Sequence, residues 1–143
     1  MVDDYKEIPE LLLKIEHEYL KKTVFISGSI SDYNSKWTEE KVNQFCYDLS
    51  RLLVVNNYKV ISGFGLGIGS SVINGALDEI YKSKYRHINK YLSLFPFPQN
   101  DNGEKSLKKR WSENREQMID EAGICIFIFG NKKIGGEVVP ASG

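Results

Sequence analysis

Apolar and polar positions along this chain switch between two periods, and the switching outlines a fold. Over residues 38–56, Val42, Phe45, Cys46, Leu49, Leu52 and Leu53 recur at steps of three and four, while Glu39, Glu40, Lys41 and Asp48 fill the other face. That spacing predicts an amphipathic helix. Thr38 stands where a hydroxyl can cap the first turn, with Lys41 where a reciprocal capping box would carry Glu or Gln, so half of that motif is present. Helical spacing returns over residues 70–82 through Val72, Ile73, Ala76, Leu77 and Ile80, and over 106–122 through Leu107, Trp111, Met118 and Ile119 as anchors. A shorter lead helix is expected over residues 8–19, with Pro9 in its first turn and Leu11, Leu12, Ile15 and Tyr19 on one face.

Between these helices lie short apolar runs read as strands: Thr23-Val24-Phe25-Ile26, Tyr58-Lys59-Val60-Ile61, residues 90–95 stopped by Pro96 and Pro98, and Ile124-Cys125-Ile126-Phe127-Ile128-Phe129. The last run has no polar interruption, which predicts a central strand covered on both faces. Residues 99–105 read as an exposed loop. Strand and helix alternate, so an α/β fold with a parallel sheet flanked by helices and right-handed crossovers is expected. No internal repeat or interdomain linker is visible. Residues 1–20 read as a lead helix and connecting segment, and residues 21–143 as one domain.

Composition narrows the function. Lysine plus arginine and aspartate plus glutamate both number 19 in 143 residues, so no global field favours a polyanion, and nonspecific nucleic-acid binding is not expected. The two cysteines, Cys46 and Cys125, sit inside apolar patterns without metal-ligand spacing and read as buried small hydrophobes. His17 and His87 have no second ligand at metal spacing, so no metal site is expected. The N-terminus lacks the basic-then-apolar order of a signal peptide, and no apolar run approaches the roughly 20 residues of a spanning helix. A cytoplasmic location without membrane attachment is the expectation.

The candidate chemistry lies in Gly63, Gly65, Gly67 and Gly69, which follow a strand and precede a helix. Glycines reach positive φ without penalty, their N–H groups can turn inward together, and the following helix presents its positive end. A phosphate or nucleotide site is one reading; close packing of helix on sheet is the other. The spacing is neither GxGxxG nor a P-loop. In parallel α/β sheets ligands settle beyond the carboxyl ends of the strands. Four features fall there: Ser27-Gly28-Ser29, the glycine loop, the aromatic rim Phe95-Pro96-Phe97, and Gly130-Asn131-Lys132.

The order VFISGS, SGFGLGIGSSVINGALDE, FPFPQ and RWSENREQMIDEAGICIFIFGNKK resembles the SLOG domain, a Rossmann-like nucleotide-ligand fold related to the LOG phosphoribohydrolases and to bacterial DprA proteins. The resemblance extends over residues 21–143 and is to the C-terminal SLOG domain of Thoeris antiphage effectors in particular. It implies a sensor that binds a cyclic ADP-ribose isomer and regulates a sirtuin-type NAD hydrolase domain absent from this chain, with homo-oligomerisation expected and no catalysis in the SLOG domain. It also implies the pocket: Ser27, Gly28 and Ser29 at the first turn, Gly63, Gly65, Gly67 and Ser70 in the glycine loop, Arg115 as the ligand-binding arginine, and Lys132 as a second cation. Phe97 is the candidate cover for a base, with a core or rim role as the alternative; Arg110 is a weaker candidate cation in a basic run.

The competing enzyme class is a LOG-type nucleoside monophosphate phosphoribohydrolase, which the resemblance would require to carry PGGxGTxxE after the last strand. This chain has Gly130 to Gly136 without PGG, and Glu137 as the nearby carboxylate. A structural oligomerisation module is the third class. A SLOG domain continues through another helix, strand and helix, so the sheet around residues 124–129 is expected to lack cover on one side.

Overall fold

The computed structural model describes residues 7–84, 86–97, 103, 106–134 and 136–140. The chain runs α1 (Glu7–Leu20), β1 (Thr23–Ser29), α2 (Glu39–Val55), β2 (Lys59–Ser62), α3 (Gly69–Tyr81), α4 (Ile88–Tyr91), β3 (Leu92–Leu94), α5 (Leu107–Glu121), β4 (Ile124–Phe129), β5 (Asn131–Ile134) and β6 (Glu137–Pro140). Strands β1 to β4 form a parallel sheet in the order β3-β2-β1-β4, a Rossmann-like α/β arrangement, and β5 and β6 pair separately as an antiparallel hairpin. No described helix is long and apolar enough to cross a membrane.

Alternation along the strands divides the interior into two cores. Val24, Ile26 and Val60 face α2 and α3 and pack with Val42, Cys46, Val54, Val72, Ala76 and Ile80. Phe25 and Ile61 face the other way and meet Met118 of α5, with Phe97, Ala122 and Cys125 closing around them. Because neighbouring strand residues project to opposite faces, β1 and β2 need apolar side chains at almost every position.

Helix ends follow local chemistry. The Thr38 hydroxyl accepts a hydrogen bond from the Lys41 N–H at 3.3 Å, and Ser106 caps α5 in the same way through the Lys109 N–H. Asn57, at φ 64, turns the chain out of α2 in the left-handed conformation that asparagine tolerates. Helices α2 and α3 approach so closely that a Cβ on Gly75 would overlap the Tyr47 carbonyl oxygen.

Several expectations need correction. Among the described residues the apolar run Ile124–Phe129 stands at the end of the sheet and not at its centre: it pairs with β1 and with no second strand, and Ile124 and Phe127 stay 39% and 64% exposed. An uninterrupted run reports apolar surroundings on both faces but not the strand's place in a sheet, which long-range pairing decides. The strand expected over residues 90–95 shrinks to three residues, because Lys90 and Tyr91 belong to the one-turn α4. Ile119, expected as an anchor, is 46% exposed, so Met118 alone of that pair is buried. On α2 the buried stripe is Val42, Cys46, Ser50 and Val54, while Phe45 and Leu52 remain exposed. The lead helix forms, yet Leu11, Leu12 and Ile15 face outward. Pro98 and nearly all of the loop at 99–105 lie outside the described residues.

Candidate functional site

At the carboxyl ends of β1, β2 and β4 the chain surrounds a cleft of about 940 Å³. Its floor is the glycine loop. After β2 the Ser62 hydroxyl accepts a hydrogen bond from the Phe64 N–H at 3.2 Å. Phe64 itself takes φ 60, and Gly67 takes φ 78. The turn then closes onto α3, where the Gly65 carbonyl accepts from the N–H groups of Ile68 at 3.2 Å and Gly69 at 2.8 Å. The loop is strapped to β1 by a 2.8 Å hydrogen bond from the Ile30 N–H to the Leu66 carbonyl. A Cβ on Gly65 would overlap the Gly28 carbonyl oxygen, and one on Gly67 that of Ile30. The missing side chains of Gly65 and Gly67 thus let this loop touch the end of β1 and the residue after it through backbone, a loop-on-strand contact in place of the helix-on-sheet packing expected as the alternative. Phe64, Gly65, Leu66 and Gly67 of the same loop line the cleft.

Helix α3 starts on this floor with no side-chain cap and no acidic residue in its first turn. The N–H groups of Ser70 and Ser71 belong to the orphan donors of a helix start, and both serines line the cleft. Helix α2 also begins at the cleft, but Thr38 caps it and Glu39 and Glu40 occupy its first turn. The two helix ends thus differ in sign. The α3 end attracts an anion, whereas Glu39, on the cleft wall with Asn43 and Tyr33, repels one and suits a hydroxyl or amine.

Opposite α3 stands α5. The Asn114 side-chain amide donates to the Phe95 carbonyl at 2.7 Å, tying the helix to the segment after β3. Arg115, one residue on, has its guanidinium over the Phe97 ring, 5.5 Å from the centroid, and Trp111 meets the same ring edge-on at 6.2 Å. Phe97 thus supports the arginine as much as it lines the cleft. The remaining wall comes from β4. Phe129, at φ 62, contacts Trp37 and Phe45 in T-shaped geometry at 5.2 and 6.1 Å.

Of the residues expected from sequence, Ser27, Gly28, Ser29, Gly65, Gly67, Ser70, Phe97 and Arg115 all line this one cleft. The Ser29 hydroxyl is buried and has no hydrogen-bond partner among the described residues. Gly63 is not on the lining: it sits behind the floor, where a Cβ would crowd Met118 Cε at 2.9 Å and Phe97 Cε2 at 3.0 Å. The backbone of Lys132 lies on β5 opposite Val139, and its side chain is outside the described set. Glu137 lies on β6 and is not among the residues that line the cleft. Sequence reasoning missed Trp111 as a wall residue, and also Tyr33, Glu39, Asn43, Phe64 and the exposed face of β4. For Trp111 a signal existed, since it stands one helical turn before Arg115 and so shares its face.

Titration changes little here. Burial, followed by the nearby Glu39 and then Cys46, raises the Tyr33 hydroxyl above its ordinary range, so it stays a donor at neutral pH. Burial pushes the Cys46 thiol up to about 11 and raises that of Cys125. Neither is an activated nucleophile. Among the described residues no group of three His, Cys, Asp or Glu could hold a metal ion.

Comparison with known proteins places the chain among relatives. Residues 7–143 match the model of the Sir2- and TIR-associating SLOG family. The chain is 43% identical over 143 residues to the NAD(+) hydrolase ThsA of Bacillus cereus, covering all of this chain and 29% of that protein. It is 42% identical over 142 residues to the ThsA of Enterococcus faecium, covering 99% and 28%. With the ThsA of Acinetobacter baumannii it shares 34% over 134 residues, covering 94% and 28%. The chain therefore spans under a third of the length of these relatives.

Proposed function

This chain belongs to the Sir2- and TIR-associating SLOG family, and from that premise we propose that it is a sensor domain whose cleft takes up a cyclic ADP-ribose-type nucleotide. One observation carries the reading. The uncapped start of α3, the glycine loop and Arg115 border a single hollow large enough for a nucleotide, with aromatic side chains on its walls. Backbone N–H groups and a guanidinium are the donors a diphosphate requires, and flat apolar rings suit a base. Glu39, Asn43 and Tyr33 supply polar partners for ribose hydroxyls on the far side.

In this proposal the domain reads a signal and the chemistry happens elsewhere. The relatives are named as NAD(+) hydrolases and are more than three times as long as the part this chain spans, and in this reading the hydrolytic activity belongs to that other part. Nucleotide uptake would then regulate a sirtuin-type hydrolase domain in Thoeris-like antiphage defence, in a homo-oligomer. A phosphoribohydrolase reading would need a carboxylate beside the ribose. Among the described lining residues the carboxylate is Glu39, on the exposed first turn of α2.

Titration calorimetry with cyclic ADP-ribose isomers, beside an assay for ribose 5-phosphate release from nucleoside monophosphates, tests the reading. Saturable uptake without turnover is the expected result. Release of free base would replace the sensor by a hydrolase, and silence in both assays would leave an assembly module.

A further inference from the structure

The aromatic residues of the cleft are not equivalent. Phe97 carries Arg115 on one face and Trp111 against its ring, and Phe129 is held between Trp37 and Phe45. Phe64 is different. Among the described residues it enters no ring pair, it is 52% exposed, and it lines the cleft. Its backbone is also in the left-handed region, at φ 60, where a bulky residue is a genuine outlier and glycine would sit without penalty.

The position is flanked by Gly63 and Gly65, so a third glycine would ease the turn. Instead the chain holds a phenylalanine there, and its surroundings fix it. The Phe64 N–H donates to the Ser62 hydroxyl, and a Cβ on Gly69 would meet the Phe64 Cα and carbonyl carbon at 2.8 Å and its Cγ at 3.1 Å. Burial does not account for the ring, since half of it faces solvent. Backbone preference opposes it. A side chain kept at the mouth of a cleft against both tendencies is explained by what it contacts when the cleft is filled.

We propose that Phe64 is the base-stacking residue of this cleft and so sets its preference for ligands that carry a purine. The assignment rests on the nucleotide reading given above. Gly69 opens the first residue of α3 to the Phe64 ring, so the ring stands directly beside the helix start proposed to take the phosphates. A base stacked on Phe64 therefore lies next to its own phosphates, and one residue couples base recognition to anion recognition. The exposed Leu66, on the same loop and also on the lining, extends the apolar surface for the base edge.

The test compares the intact protein with Phe64→Gly, Phe64→Leu and Phe64→Tyr, using cyclic ADP-ribose as the base-bearing probe and inorganic pyrophosphate as the base-free one. Phe64→Gly relieves the backbone, so its thermal midpoint is expected to hold or rise. Its affinity for cyclic ADP-ribose should fall at least about fivefold, the size of a lost aromatic–base stack, with pyrophosphate affinity unchanged. Phe64→Leu should lose the same affinity, and Phe64→Tyr should keep it. Equal loss for both probes, or a midpoint lowered in Phe64→Gly, would make the ring a scaffold for the loop and overturn the assignment. Unchanged affinity for cyclic ADP-ribose would overturn it as well. Failure of the unsubstituted protein to bind either probe would instead remove the nucleotide reading, and this assignment with it.

Discussion

The guanidinium of Arg115 lies over the ring of Phe97, 5.5 Å from its centroid, with Trp111 set edge-on against the same ring. A flexible cation is thereby held at one wall of the cleft by stacking, which reduces what it loses in side-chain freedom on meeting an anion. Arg115→Ala should weaken nucleotide binding by at least about 1.5 kcal/mol, the lower range for a charge-assisted hydrogen bond. Arg115→Lys should recover only part of it, because an ammonium lacks the planar fork. Calorimetry reads both, and an unaltered affinity in Arg115→Ala would take this residue out of the site.

The glycine loop offers a test that needs no ligand. Gly65→Ala forces a methyl group into the Gly28 carbonyl, and overpacking against backbone costs about 1–3 kcal/mol. Gly67→Ala meets the Ile30 carbonyl and adds the penalty of a side chain at φ 78, about 1–2 kcal/mol more. Gly103→Ala keeps a positive φ but has nothing within 4 Å among the described residues, so it should show the conformational cost alone. Urea unfolding midpoints should fall from Gly103→Ala through Gly65→Ala to Gly67→Ala, the least stable of the three.

Glu79 is a further point of leverage. Its carboxylate, 10% exposed, accepts from Arg86 at 3.2 Å and lies 3.4 Å from Lys82 and 4.0 Å from Arg51. Arg86 in turn donates to the Glu79 backbone carbonyl and stacks on Tyr91, so this one acid joins α2, α3 and the segment leading into α4. Glu79→Gln should destabilise the fold by roughly 1.5–3 kcal/mol, most of it through Arg86, since Lys82 is solvated and contributes little. Thermal melts at low and high salt check this, and a loss erased by salt would assign the effect to the exposed lysine instead.

Alkaline pH should weaken the protein through Cys46. Its thiol, buried against α3 and the sheet, is raised from 9.0 to about 11 in the folded chain. The unfolded chain therefore releases the proton first. The contribution is whole below about pH 9 and is lost as pH rises toward 11, so stability falls with pH across that window. Denaturation midpoints from pH 8 to 11 should flatten in Cys46→Ala, after allowing for a lower starting stability. In the folded protein Cys46 should resist alkylation at pH 8.

Much of this fold was legible in the order of residues. The period of the apolar positions marked α2, α3 and α5, and the cap at Thr38 fixed the start of α2, because both are local effects acting within a few turns. The glycine spacing announced a backbone contact, and the strand–helix rhythm placed Ser29, Gly65 and Arg115 on one edge of a sheet. What the linear pattern could not contain was the lateral order of the strands. Residues 124–129 were apolar enough for a sheet centre, and only the pairing showed them next to β1 with no second strand among the described residues, where Phe127 opens onto the cleft. The same holds for Phe64 and Gly63, neighbours in one loop that the tertiary structure turned to opposite sides of its floor. Local periodicity is set by backbone geometry within a few residues, whereas facing and neighbourhood depend on contacts between segments distant along the chain, and those are decided only when the whole sheet closes.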